Sequence, residues 1–178
     1  MYRNLLLFAT LGTTVAAFAE QGDQWVAVKG AYTQYDSHFQ LKDKEGFGVG
    51  YGVWFTDHVG LDVTLLRSGL ESKLPTATGT SEQFQLLGSF LLGFNPLGRH
   101  CYPYFAAGVG ATQLGKAFSD SHQQTTRVNY HAGLGAQFRL GANFALTVDS
   151  KYVRTQTNTV RNDWVNSVGL GYTWKSMF

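Results

Sequence analysis

The chain has 178 residues, a formal net charge of +2, 15% aromatic residues and a single cysteine. So small a net charge does not favour nucleic acid as a partner. One cysteine, Cys101, excludes a disulfide within the chain, and the five histidines are too scattered to suggest a metal site. We therefore expect no cofactor.

Residues 1–19 have the features of a cleaved secretory signal peptide. Arg3 supplies a positive charge, an apolar stretch follows from Leu5 to about Ala17, and Ala17-Phe18-Ala19 is a small-x-small cleavage site. An uncleaved membrane anchor is the alternative, although the apolar stretch is short for one. We expect a mature chain that begins at Glu20 and forms one domain over 20–178.

Eight segments of the mature chain alternate between apolar residues and small or polar ones, which indicates β-strands between two different environments. The clearest segment places Phe47, Val49 and Tyr51 on one face and glycines on the other. The predicted strands are 24–35, 46–55, 59–69, 82–94, 103–114, 127–139, 143–154 and 164–178. Tight connections alternate with longer polar loops near 36–45, 70–81, 115–126 and 155–163, as in outer-membrane barrels.

The apolar faces of these strands point either into a core or into lipid. A soluble lipocalin-like barrel would bury them. Lipid is favoured because the other faces are rich in glycine, which suits a narrow interior, and because aromatic residues cluster near strand ends. Pairing of the strand from Trp164 with the strand from Trp25 would remove both edges, as lipid requires. We predict an all-β, eight-stranded antiparallel up-and-down transmembrane β-barrel.

Six charged residues have the inward parity of their strands, which means that they occupy the alternate positions predicted to face the barrel interior. Because buried charges must pair and an eight-stranded barrel is filled by side chains, we predict a salt-bridged core with Asp62 and Asp149 as its acidic centres. This network is either purely structural or the gate of a narrow water or ion path. The predicted members are Lys29, Asp62, Arg139, Asp149, Lys151 and Lys175.

Enzymatic activity would require a nucleophile within hydrogen-bond reach of a base. His131 is the best candidate base, but Gly133 occupies the next position on its face, and Ser89 and Ser167 belong to other strands. The spacing offers no catalytic constellation, so we predict that the protein is not an enzyme.

Two arginines follow the outward parity near the long-loop ends of their strands. Arg67 and Arg154 would there meet the phosphates of lipopolysaccharide, where charge-assisted hydrogen bonds are favourable. Ordinary solvated surface charge is the alternative.

Three segments carry a resemblance to a known family. They are 55–62 (FTDHVGLD), 103–110 (PYFAAGVG) and the C-terminal 168–178 (VGLGYTWKSMF). Together with the signal peptide, they resemble small Gram-negative outer-membrane barrels of the OmpA/OmpX/Opa type, the outer membrane protein beta-barrel domain group. The resemblance covers essentially the whole mature chain.

The resemblance implies a location in the bacterial outer membrane. We expect contact with the lipid and lipopolysaccharide of that membrane, and a monomer. It also implies that Tyr172, Trp174 and Phe178 form the signal read by the barrel assembly machinery. We expect no peptidoglycan-binding domain after Phe178, in contrast to full-length OmpA. The expected role is structural or surface interaction; the alternatives are a narrow pore or carrier and, less favoured, a lipid-modifying enzyme.

Overall fold

The structure is a computed structural model that describes residues 22–39, 41–71, 80–94, 100–114, 125–156 and 160–175. The predicted signal peptide, 1–19, and the terminal Phe178 lie outside the described residues. Among the described residues, no helix is long and apolar enough to cross a membrane.

Eight strands form a closed barrel in which each strand pairs antiparallel with the next in sequence. A short 3-10 helix, Ser37–Phe39, lies between the first two strands. The strands are β1 (Asp23–Gln34), β2 (Lys44–Trp54), β3 (Val59–Glu71), β4 (Thr80–Gly93), β5 (Cys101–Leu114), β6 (Thr125–Arg139), β7 (Phe144–Thr155) and β8 (Arg161–Lys175). All eight predicted strands are present, so the predicted fold class is confirmed.

Closure of the barrel occurs between the first and last strands. The register of β1 and β8 places Trp25 opposite Thr173 and Gln34 opposite Trp164. The predicted pairing of these two strands is therefore confirmed, and no backbone edge of the sheet remains open.

The outer face of the barrel is apolar. On β1, the exposed Val26 and Val28 alternate with the buried Ala27 and Lys29. Val28 is 70% exposed and Leu134, on β6, is 61% exposed. Since an aqueous surface rarely carries so continuous an apolar belt, this face suits the hydrocarbon of a bilayer.

The lumen is filled by side chains in successive layers. Along β1 the inward residues Ala27, Lys29, Ala31 and Thr33, followed by Tyr35 just after the strand, enter these layers in order from the short-turn end. The lower apolar layer is Trp25, Ala27, Leu91, Tyr104 and Ala106. A charged layer follows, and then an upper apolar layer of Ala31, Leu66, Leu87, Val153 and Val165. Above it lies an upper polar layer that includes Gln83, Gln85, Asn129, Arg161 and Asp163. A cap of Tyr35, Leu41 and Leu70 covers that layer.

Two inward glycines make room for aromatic rings in the lower apolar layer. A Cβ atom at Gly52 would lie 2.0 Å from a ring carbon of Trp25, and one at Gly135 would lie 2.5 Å from the ring of Tyr104. Trp54 packs between these rings, with centroids 5.9 Å from Trp25 and 6.0 Å from Tyr104. Glycine on the wall thus allows large side chains to close a narrow lumen.

Candidate functional site in the lumen

The charged layer begins with Lys29 on β1. Its Nζ donates a 2.9 Å hydrogen bond to Thr64 Oγ1, and it lies 3.3 Å from Asp149 Oδ2 and 3.7 Å from Asp62 Oδ1. The Lys29 side chain is only 2% exposed. A buried ammonium group requires such partners because burial removes it from water.

Lys151, on β7, completes the layer. Its Nζ lies 3.4 Å from Asp62 Oδ2 and 3.3 Å from Ser89 Oγ. Thr64 donates its hydroxyl hydrogen to Asp62 Oδ2 at 2.8 Å, while its oxygen accepts from Lys29. Two lysines thus face two aspartates, and the four formal charges sum to zero.

Asp149 receives two further hydrogen bonds from other strands. The hydroxyl of Tyr104, on β5, donates to Asp149 Oδ1 at 2.5 Å, and Ser167, on β8, donates to Oδ2 at 3.3 Å. With Lys29, these contacts connect β1, β5, β7 and β8 through one carboxylate. The charged layer is therefore a cross-lumen brace between strands that are distant in sequence.

The structure places two of the six predicted network residues outside this layer. Arg139 lies at the short-turn end, where it forms an ion pair with Asp23 and its guanidinium stands 5.0 Å from the Tyr102 ring centroid. Lys175 is exposed at the end of β8. Both have the inward parity, but parity determines the face of a strand and not the height in the barrel. The network consists of Lys29, Asp62, Asp149 and Lys151.

A serine and a histidine meet inside the lumen, which the sequence spacing did not indicate. Ser89 Oγ on β4 lies 2.9 Å from His131 Nε2 on β6. Both residues are in register with Gly108 on the intervening β5, and the absence of a side chain there lets them approach. His131 Nδ1 is buried without a hydrogen-bond partner, so no carboxylate orients the ring as a catalytic triad requires.

Residues 5–175 of the chain match the model of a protein family that is described as "Outer membrane protein beta-barrel domain". The chain belongs to this family. It is therefore a bacterial outer-membrane barrel, with the short turns in the periplasm and the long loops outside the cell. No curated protein matches the chain.

Solved outer-membrane barrels have the same fold. The barrel domain of Pseudomonas aeruginosa OprF is 18% identical and has a TM-score of 0.58, with 86% of this chain and 99% of that chain covered. Neisserial surface protein A is 13% identical with a TM-score of 0.60, and the match covers 87% of this chain and 99% of that chain. Ail of Yersinia pestis is 16% identical with a TM-score of 0.53, and the match covers 86% of this chain and 98% of that chain.

The extracellular mouth of this outer-membrane barrel contains a second buried ion pair, between Arg161 and Asp163 at 2.8 Å. Arg161 also donates to Gln83 Oε1 at 2.7 Å, and its guanidinium stands 5.5 Å from the Tyr35 ring centroid. The predicted loop 155–163 includes Arg161, whereas in the structure Arg161 begins β8 and points inward. The sequence signal for this longer strand is that Arg161 and Asp163 continue the same face as Val165, at intervals of two residues.

Asp36 ties the loop after β1 to the start of β8. Its carboxylate accepts hydrogen bonds from the backbone N–H of His38 at 3.1 Å and of Asn162 at 3.3 Å. These bonds favour the ionised form, so the pKa of Asp36 is lowered, with the His38 N–H as the main cause. The contact holds the extracellular loop close to the barrel rim.

The two predicted lipopolysaccharide contacts have different surroundings. Arg67 forms an ion pair with Glu82 and stands 5.8 Å from the ring centroids of both Phe47 and Phe84. Arg154 is exposed on the outer face of β7, next to Tyr130 on β6 and Asn162 on β8.

The predicted assembly signal lies partly within the described residues. Tyr172 points outward, with its ring centroid 5.8 Å from Phe144 and 6.1 Å from Trp174. Phe178 lies outside the described residues. Within the described residues, no group of three or more His, Cys, Asp or Glu side chains is placed to hold a metal ion.

Proposed function

We propose that the protein is a closed, non-conducting outer-membrane barrel with a structural role, whose extracellular rim contacts lipopolysaccharide. The packing of the lumen carries the first part of this proposal. Leu70, Leu87 and Leu91 are each 1% exposed and lie in three different layers along the barrel axis. A continuous column of water through such layers would require side chains to move.

The charged layer supports the same conclusion because apolar layers separate it from both mouths. An ion that reached Lys29 or Asp149 would have to pass Leu91 on one side or Leu87 on the other. Loss of hydration in these layers is costly for any ion. The salt bridges therefore act as a brace that holds the strands together.

A narrow pore is the second candidate, and one observation favours it. Three buried polar atoms in the upper polar layer have no hydrogen-bond partner: Gln83 Nε2, Gln85 Nε2 and Asn129 Oδ1. Unpaired buried groups of this kind would be satisfied by water that enters transiently.

Planar-bilayer conductance separates the two candidates. We expect no discrete current steps from the wild type, nor from Asp62→Ala or Asp149→Ala, because the apolar layers remain. The double variant Leu87→Ala/Leu91→Ala opens both apolar layers and provides the control for sensitivity. Discrete steps in the wild type would contradict the structural role.

The proposed absence of enzymatic activity has a separate test. Ser89 is 2% exposed and faces the lumen, where a lipid substrate has no access. We expect identical lipid A mass spectra from cells that carry the wild type, the Ser89→Ala variant or no protein. A lipid A species that appears only with the wild type would establish an enzyme.

The proposed lipopolysaccharide contact depends mainly on Arg154. Arg67 already has Glu82 as a counter-ion, so its charge is less available to a phosphate. We expect Arg154→Gln to reduce co-purified lipopolysaccharide more than Arg67→Gln does. Unchanged lipopolysaccharide in the double variant would refute the contact.

A further inference from the structure

The lipid-facing surface contains a groove of about 810 Å³ that crosses β6, β7, β8 and β1 and reaches the start of β2. Its outward side chains are small where neighbouring ones are large, at Gly30 and Ala136. A Cβ atom at Gly30 would approach only the carbonyl oxygen of Val168, at 3.9 Å, so the fold itself does not require glycine there. A strand glycine without an internal reason often marks the close approach of another molecule.

A polar pair lies in this groove. Ser150 donates a 2.8 Å hydrogen bond to Asn166 Oδ1, and the two residues are paired across β7 and β8. Both are half-buried and lie between apolar outer-face neighbours on their strands. Elsewhere in the described strands, the polar side chains of the outer face lie towards the strand ends. Polar side chains within the membrane-facing part of a strand are uncommon and indicate a binding role.

The depth of the pair relative to the aromatic girdle indicates the chemistry of its partner. Tyr152 and Trp164 are the next outward pair towards the extracellular side, with ring centroids 5.4 Å apart. Such rings mark the level of the head groups, and two residues along a tilted strand correspond to about 5 Å of depth. Ser150 and Asn166 therefore lie where the carbonyls that link acyl chains to a head group are found.

The outer face of β7 presents the complementary groups in the order that an anionic acylated lipid needs. Arg154 lies at the rim, Tyr152 at the head-group level, Ser150 at the carbonyl level, and Val148 in the groove below. Arg154 supplies the cation for a phosphate. Of the two acidic residues that line the groove, Asp149 points into the lumen and Glu45, on β2, lies three strands from Ser150.

We propose that this groove binds one acyl chain of a lipopolysaccharide molecule. The Asn166 side-chain N–H donates to the carbonyl of the chain's linkage, and the chain lies over Gly30 and Ala136. This inference rests on the lipopolysaccharide contact proposed above and adds a specific site to it. The extracellular position of the polar pair, together with Arg154, favours lipopolysaccharide over a phospholipid of the inner leaflet.

The experiment measures lipopolysaccharide retained by the purified full-length protein and its displacement by phosphatidylglycerol vesicles. Asn166→Leu removes the amide donor, and Ala136→Leu fills the groove. Each should lower retained lipopolysaccharide by about fivefold, the effect of one hydrogen bond or its equivalent in contacts. Ala107→Leu, a matched outward alanine on β5 away from the groove, should retain wild-type levels.

Each other outcome overturns the inference. A loss with Arg154→Gln but not with Asn166→Leu or Ala136→Leu leaves the rim contact intact and refutes the groove. Equal displacement by phosphatidylglycerol in the wild type assigns the groove to phospholipid. A change of oligomeric state in Ala136→Leu, with lipopolysaccharide unchanged, assigns it to a second copy of the chain. Gel mobility of the folded barrel confirms that every variant has folded.

Discussion

The charge balance of the lumen leads to a quantitative test with the pair Lys29 and Asp149. Asp149→Asn keeps the shape of the side chain but changes the formal charge of the layer from zero to +1. Lys29→Met changes it to −1, and the double variant restores neutrality. We therefore expect each single variant to be destabilised and the double variant to recover part of the loss.

The magnitude follows from the partners that each variant leaves behind. After Asp149→Asn, Lys29 keeps Thr64 at 2.9 Å, but its remaining carboxylate, Asp62, lies 3.7 Å away. Removal of one member of a buried pair typically costs about 3–5 kcal/mol. Because the double variant leaves no excess charge in the layer, its cost should be about 2 kcal/mol below the sum of the single costs.

The assay is reversible unfolding by guanidinium or urea in lipid vesicles, followed by tryptophan fluorescence. The matched control is the exposed pair Arg67 and Glu82, replaced singly and together by Met and Gln. Since solvent screens that pair, its variants should leave the unfolding midpoint unchanged. If the costs of Lys29→Met and Asp149→Asn simply add, the brace formed by the charged layer does not exist.

Three further predictions are also measured by unfolding, with denaturant for the first two and with heat for the third. Tyr104→Phe should cost about 1.5–3 kcal/mol, since it removes a 2.5 Å hydrogen bond to a buried carboxylate; a change below about 0.5 kcal/mol would contradict this. Gly52→Ala should lower the free energy of unfolding by about 1–3 kcal/mol because the added Cβ overlaps the Trp25 ring. Gly69→Ala, whose added Cβ has no atom within 4 Å, should leave the free energy of unfolding unchanged. Asp36 has a lowered pKa, so its stabilisation is present above about pH 4 and is lost as the pH falls through the folded-state pKa. The difference in melting temperature between wild type and Asp36→Ala should shrink on acidification, and a constant difference would refute the hydrogen-bonded carboxylate.

The strands could be predicted from the sequence because lipid and lumen differ strongly in polarity. Side chains that alternate between these two environments leave a period of two in the sequence, as on β2 from Phe47 to Val53. The ends of the strands were less certain. β8 begins at Arg161, three residues before its predicted start, because Arg161 and Asp163 continue the inward parity as polar residues.

The candidate site could be predicted only in part because alternation gives a face and not a height. Lys29 and Lys175 share the inward parity, yet one lies in the middle of the lumen and the other at its mouth. Contacts across the lumen also depend on strand stagger, which alternation does not encode. The approach of Ser89 to His131 across Gly108 is such a contact.

The order of the layers also distinguishes two possible roles of the charged network, as the gate of a path for ions and as a brace between strands. If salt bridges alone closed the lumen, removal of Asp62 or Asp149 would open a path for ions. In this barrel, the residues above and below Lys29 on the inner face of β1 are Ala31 and Ala27, and each belongs to an apolar layer. Opening therefore requires the displacement of hydrophobic side chains at two further levels. A conducting state would consequently depend on Leu87 and Leu91 more than on the charges, and replacement of these leucines would change conductance where replacement of the aspartates would not.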